Sequence, residues 1–175
     1  MAAYDVVISG GRVLDGSGNP WFYADVAIKD GRIVRIGRVE PDPAARTIDA
    51  RGLIVAPGFI DLHTHSDIPL LMDGNGQSKV RMGVTLDVIG ESASVAPLQG
   101  AVLEEYRNEQ RQRNNFEVDW TTFTGYFERL LRQGTSINLA SCVAPQQVKR
   151  VVMGYERRPA TPAELEVMGG LIAEA

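Results

Sequence analysis

His63 and His65 are the only histidines in the chain, and they stand one residue apart in the stretch "GFIDLHTHSD", residues 58–67. In an extended chain residues i and i+2 share a face, so both imidazoles project together and Thr64 points the other way. Paired imidazoles can chelate a borderline divalent metal such as zinc. Asp67 follows at the same parity, and Asp61 precedes on the same face, deeper in the strand. A bare His-x-His also fits two solvated loop histidines or a hydrogen-bonded pair. Context favours the metal: the run Gly58-Phe59-Ile60-Asp61-Leu62 is entered from a turn at Pro57 and reads as a buried strand that ends in the pair.

The elements before the pair read as a small antiparallel β unit, residues 1–57. "DVVISGGRVLDGSGNP" gives a strand, a Gly10-Gly11 turn and a second short strand. Asp30-Gly31 separates two alternating runs, with Val26 and Ile28 before it and Ile33 and Ile36 after it. Asp-Gly suits a type I′ turn, in which both positions take φ > 0. "RTIDARGLIVAPG" adds two more short strands around Ala50-Arg51-Gly52.

Residues 58–175 have a different rhythm. "FIDLH", "VTLDVIG" and "SINLASCV" read as apolar strands. Residues from about Ala101 to Gln112 are polar and helix-friendly. "DWTTFTGYFERLLRQG", Asp119 to Gly134, is amphipathic: Phe123, Phe127, Leu130 and Leu131 fall at helical spacing, and Gly134 suits a C-cap. "APQQVKRVVMG" is a short helix. Thr161, Pro162 and Glu164 form an N-cap, a first-turn proline and a capping box. That last helix is still in apolar rhythm at Ala175, as in a chain cut inside a helix or just after its useful part. The order strand, helix, strand, helices, strand, helices implies an α/β fold with a parallel sheet and helical crossovers. Three strands cannot close an eight-stranded barrel, but they could start one, and such barrels keep their active sites at the strand ends where the histidines fall.

The stretch "VAPGFIDLHTHSD", preceded by "DVVISGGRVLDGSG" and "DVAIKDGRIVRIG", resembles the amino-terminal part of the amidohydrolase superfamily. "MGVTLDVIGESASVAPL" and "VMGYERRPATPAELEVM" are similar to its D-aminoacylase (N-acyl-D-amino-acid deacylase) branch. The resemblance covers essentially the whole chain. It implies a metal-dependent hydrolase of amide carbon–nitrogen bonds of the N-acyl-D-amino-acid deacylase type. It also implies a TIM-type (β/α)8 barrel and a small β-sandwich built from both chain ends. Residues 1–57 would then belong to the sandwich, and residues 58–175 would be the first, truncated part of the barrel.

The same resemblance makes His63 and His65 ligands of one or two divalent ions, zinc being expected. At the end of the second barrel strand the better-known deacylases carry Gly-Asn-Cys-Gly, whose cysteine is a ligand. Here the residues are Gly90-Glu91-Ser92-Ala93, with Ser92 in the cysteine's place. A hydroxyl is a poorer zinc ligand than a thiolate, so Glu91 is the candidate oxygen ligand. The alternative for Glu91 is a loop carboxylate that caps a helix or makes a surface pair. Asp67 and Ser92 stand as substrate-binding candidates. The family's further histidines and its catalytic aspartate would lie beyond residue 175, so no catalytic residue is assigned and the chain alone is expected to be inactive. Two other readings stay open: a catalytically incompetent remnant or interaction module, and a different amidohydrolase such as a cyclic amidase.

The remaining features are plainer. Cys142 is the lone cysteine and excludes an intramolecular disulfide; it reads as a small buried hydrophobe rather than a nucleophile. Asn138 and Ser141 suit a pocket lining or a structural role equally. Arg157-Arg158 could grip a carboxylate, though exposed arginines before a helix cap are commoner. Trp120, Phe123, Tyr126 and Phe127 suit helix packing. With 18 basic and 22 acidic residues the net charge is −4, which argues against nucleic acid as a partner. The start, Met1-Ala2-Ala3-Tyr4-Asp5, lacks a basic n-region and a long apolar core, so no signal peptide is expected, and no apolar run approaches the ~20 residues of a membrane span. The expectation is a cytoplasmic protein with a small-molecule substrate and no membrane partner, oligomerisation being open.

Overall fold

The computed structural model describes residues 3–40 and 45–175. The chain divides into two compact units, Met1–Pro57 and Gly58–Ala175.

In the first unit β1 (Val6–Val13), β2 (Phe22–Lys29), β3 (Arg32–Gly37), β4 (Arg46–Asp49) and β5 (Ile54–Val55) form one sheet in the order β3-β2-β1-β4, with β5 also on β1. Asp30 and Gly31 take φ of 50° and 72°, as the Asp-Gly turn requires. The hairpin pairs Val26 with Ile36 and Ile28 with Ile33. Two features differ from the sequence reading. Gly10-Gly11 is not a turn: β1 runs through it, and the register against β2 slips between Ile8 and Gly11. Gly10 takes φ 74°, and Asp25 Oδ1 on the neighbouring strand accepts from Gly10 N at 2.8 Å and Ser9 Oγ at 2.9 Å, so a bulge is held where a turn was expected. The second difference is that β4 and β5 pair with β1 in parallel. β3 and β4 lie at opposite ends of the strand order β3-β2-β1-β4.

The second unit alternates β6 (Phe59–Asp61), α1 (Asp67–Met72), α2 (Gln77–Val80), β7 (Val84–Ile89), α3 (Gly100–Asn114), α4 (Phe123–Gln133), β8 (Asn138–Ser141), α5 (Pro145–Met153) and α6 (Pro162–Glu174). Its strands pair in parallel in the order β6-β7-β8. The core joins Ile68, Leu70 and Leu71 of α1, Ile89 of β7, and Phe123, Tyr126 and Leu130 of α4, with Val95, Leu98 and Trp120 from the connections. Trp120 Nε1 donates to Val95 O at 2.9 Å, so the buried indole keeps its polar atom satisfied.

Leu131, expected on the packed face of α4, is 75% exposed. Packing against the core sets an inward stripe of Phe123, Tyr126 and Leu130, and residue 131 lies 100° further round; Thr122 caps the helix by accepting from Gly125 N at 3.1 Å. The Thr161–Glu164 capping box forms as the sequence predicts. Among the described residues no helix is long and apolar enough to cross a membrane.

Candidate metal centre

β6 ends at Asp61, so His63 and His65 stand on the segment joining β6 to α1, and strand alternation does not place them. The physical reason is local. Asp61 Oδ1 accepts from His63 N at 3.2 Å, and such a side-chain-to-backbone bond competes with the ladder. Thr64 N still donates to Val88 O at 3.2 Å, which keeps the segment beside β7. The two exposed imidazoles nevertheless come together, with ring centroids 5.6 Å apart and planes at 71°.

Glu91 arrives from the end of β7. Its Oε2 lies 3.5 Å from His63 Nε2, and both side chains are about three-fifths exposed. Gly90, just before it, takes φ 83°, and a Cβ there would sit 2.3 Å from the Cys142 carbonyl oxygen, so a side chain is excluded at this position. Ser92 is exposed next to Glu91. The structure thus brings His63 together with His65 and with Glu91. Two imidazoles and a carboxylate are donor types that zinc accepts, so the set fits the metal in chemistry. Among the described residues, however, no three His, Cys, Asp or Glu side chains converge to hold an ion.

Asp67 is the first residue of α1, and its carboxylate faces Tyr106 Oη of α3 at 3.5 Å. Tyr126 Oη of α4 donates to the Asp67 carbonyl oxygen at 2.9 Å. Burial pushes the Asp67 carboxyl up from its ordinary range; burial and then the nearby Asp67 charge push both tyrosine hydroxyls up as well.

One sequence expectation is corrected here. Cys142 is exposed rather than buried. Its N–H still donates to Ile89 O at 2.8 Å, but β8 has ended at Ser141 and the side chain sits at the rim of the sheet. Arg158 follows the commoner of its two readings, an arginine beside a helix cap: its guanidinium is held by Glu156 at 2.6 Å and Glu164 at 2.5 Å.

The sequence reading missed Lys79 and Asp87. Asp87 is fully buried in β7, in register with Asp61 of β6. Lys79 Nζ of α2 lies 2.5 Å from Asp61 Oδ2, 3.1 Å from Thr64 Oγ1 and 3.5 Å from Asp87 Oδ1. The Lys79 ammonium holds the Asp61 carboxyl below the usual carboxylate range, and hydrogen bonding to Asp61 raises Lys79 in return. The available signal was a carboxylate inside the apolar run "VTLDVI", which needs a buried partner.

The amidohydrolase family model matches residues 46–174. This chain belongs to the amidohydrolase family. The amidohydrolase chain is 35% identical over 175 residues to N-acyl-D-aspartate deacylase of Alcaligenes xylosoxydans xylosoxydans, covering 99% of itself and 35% of that protein. It superposes on N-acyl-D-glutamate deacylase of Bordetella bronchiseptica, solved with zinc and a phosphonate inhibitor that mimics the tetrahedral intermediate. That match has a TM-score of 0.80 and 31% identity, over 96% of this chain and 35% of the other. The crystal structure of D-aminoacylase gives a TM-score of 0.80 at 34% identity, over 98% of this chain and 36% of the other. The chain therefore spans about a third of the length of these relatives. The mixed α/β fold matches their amino-terminal region.

Proposed function

We propose that this chain forms the first strands of a TIM-type (β/α)8 barrel in a zinc-dependent N-acyl-D-amino-acid deacylase, with residues 1–57 as one part of a β-sandwich. The observation that carries the reading is the His63–His65 pair with Glu91 Oε2 3.5 Å from His63 Nε2, at the ends of adjacent parallel strands of an amidohydrolase chain. His63 and His65 would hold the metal, and Glu91 would supply an oxygen donor. Zinc, when bound, supplies a Lewis acid for the amide carbonyl and makes water acidic enough to ionise near neutral pH. Ser92, exposed beside Glu91, offers the substrate a hydroxyl, and Asp67 lies two residues past His65 at the start of α1. The further ligands and the aspartate that moves the proton are assigned to strands that would follow β8. We place the protein in the cytoplasm, consistent with its single cysteine.

A second reading, a chain that keeps the fold without catalysis, is favoured by one observation: among the described residues no three His, Cys, Asp or Glu side chains converge closely enough to hold an ion. Because the further ligands and the proton-moving aspartate are assigned to strands that would follow β8, the assay uses zinc-loaded protein that carries those strands; hydrolysis of N-acetyl-D- and N-acetyl-L-amino acids, with chiral resolution of the products, separates the two. The deacylase reading expects free D-amino acid and acetate, lost in His63→Ala. Zinc-replete protein that cleaves neither series would leave the non-catalytic reading standing.

A further inference from the structure

A ring of polar groups lies directly beneath the histidine segment, and the metal reading makes no use of it. Lys79 Nζ donates to Thr64 Oγ1 at 3.1 Å, Thr64 Oγ1 donates to Ser66 Oγ at 3.3 Å, and Ser66 Oγ donates to Asp87 Oδ2 at 2.5 Å. Asp87 Oδ1 closes the ring by facing Lys79 Nζ at 3.5 Å. The ends fix the direction. An ammonium only donates and a carboxylate only accepts, so the two hydroxyls between them must hand their protons from Lys79 toward Asp87.

The ring passes through Thr64 and Ser66, the two neighbours of His65. Lys79 also grips Asp61, whose other oxygen holds His63 N. Asp61, the His63 amide, Thr64 and Ser66 are therefore tied, directly or through one partner, to the Lys79 ammonium or the Asp87 carboxylate. The arrangement has a cost. Ser66 occupies the N-cap position of α1, yet its hydroxyl makes no cap bond and turns to Asp87 instead. Asp87 is wholly buried, and its Oδ1 has no hydrogen bond. Two positions along β7, the apolar Ile89 packs into the core, and an apolar residue at 87 would avoid the desolvation of a charge.

We propose that Lys79 and Asp87 are positioning residues that lock Thr64 and Ser66 and so aim the imidazoles of His63 and His65. The functional meaning rests on the histidines being metal ligands, but the ordering itself does not. Partners one step behind a ligand that fix its orientation typically alter metal affinity about 10- to 100-fold when removed.

The test compares wild type with Lys79→Met/Asp87→Leu, which removes both charges so that neither is left buried alone. Amide exchange is followed in the metal-free protein, and zinc binding by calorimetric titration. We expect an unchanged cooperative melt, exchange of the amides of residues 62–67 faster by about 10-fold or more, and zinc affinity lower by about 10- to 100-fold. Asp87→Asn, which keeps an acceptor for Ser66, should restore slow exchange. Wild-type exchange at 62–67 in the double variant would overturn the proposal. Should the double variant not fold, Ser66→Ala opens the ring without removing a charge: faster exchange there supports the proposal, and unchanged exchange sinks it. If the wild-type protein takes up no zinc, the metal reading alone fails, and the exchange data still decide whether the ring orders the segment.

Discussion

Asp61 and Asp87 are register partners on the neighbouring parallel strands β6 and β7, and a single ammonium, that of Lys79, lies against both. Two carboxylates side by side on one sheet face repel, and Asp87 has no access to water. Lys79→Met alone should therefore destabilise the second unit by about 3 kcal/mol, the lower end for breaking a buried pair, since Asp61 is partly solvated. Urea unfolding at neutral pH measures this. A loss under about 1 kcal/mol, the scale of an exposed ion pair, would show that the ammonium is dispensable.

Gly90 stands immediately before Glu91 in a left-handed backbone conformation. Gly90→Ala forces a left-handed φ on alanine and drives its Cβ into the Cys142 carbonyl oxygen. The backbone conformation alone costs about 1–3 kcal/mol. The thermal midpoint should drop, and zinc uptake should fall with it because Glu91 is displaced. Full zinc uptake in this variant would remove Glu91 from the ligand set.

Tyr126→Phe removes the donor to the Asp67 carbonyl oxygen while keeping the ring stacked against Trp120 and Phe127. We expect a loss of about 1 kcal/mol in chemical denaturation, the usual worth of one hydrogen bond. No change would mean that water replaces the hydroxyl.

The capping box of α6 carries a pH dependence. Arg158, and then the Thr161 amide and hydroxyl, hold the Glu164 carboxyl down to about 2 from an unperturbed 4.5. A depressed carboxyl stabilises the folded helix fully above pH 4.5, and that support is lost as pH falls from there through about 2. Amide exchange in α6 should quicken across this window relative to α4, and Glu164→Gln should flatten the response. Equal acid sensitivity in both helices would contradict the capping role.

Much of this architecture was legible in the residues. Asp30-Gly31 specified its hairpin, Thr161 and Glu164 specified a helix start, and the alternation after Pro57 specified a parallel sheet, because each rests on local chemistry. What was hidden depended on partners distant in sequence. Gly10-Gly11 has the composition of a turn, and only Asp25 on the next strand makes it a bulge. Leu131 has helical spacing, but Phe123, Tyr126 and Leu130 carry the buried face of α4 and Leu131 faces solvent. At the site, the paired histidines and Glu91 were visible as residue types. The Lys79–Asp87 ring was not, since it joins a four-residue helix to a buried strand position, and only the isolated Asp87 hinted at it.

The most direct test of the account is the zinc content of the purified protein beside His63→Ala, His65→Ala and Glu91→Ala, by atomic emission after exhaustive dialysis. The account predicts bound zinc in the wild type, its loss in both histidine variants and a clear reduction in Glu91→Ala, with all four proteins sharing one circular dichroism spectrum. Zinc retained in the histidine variants at the wild-type level would contradict it.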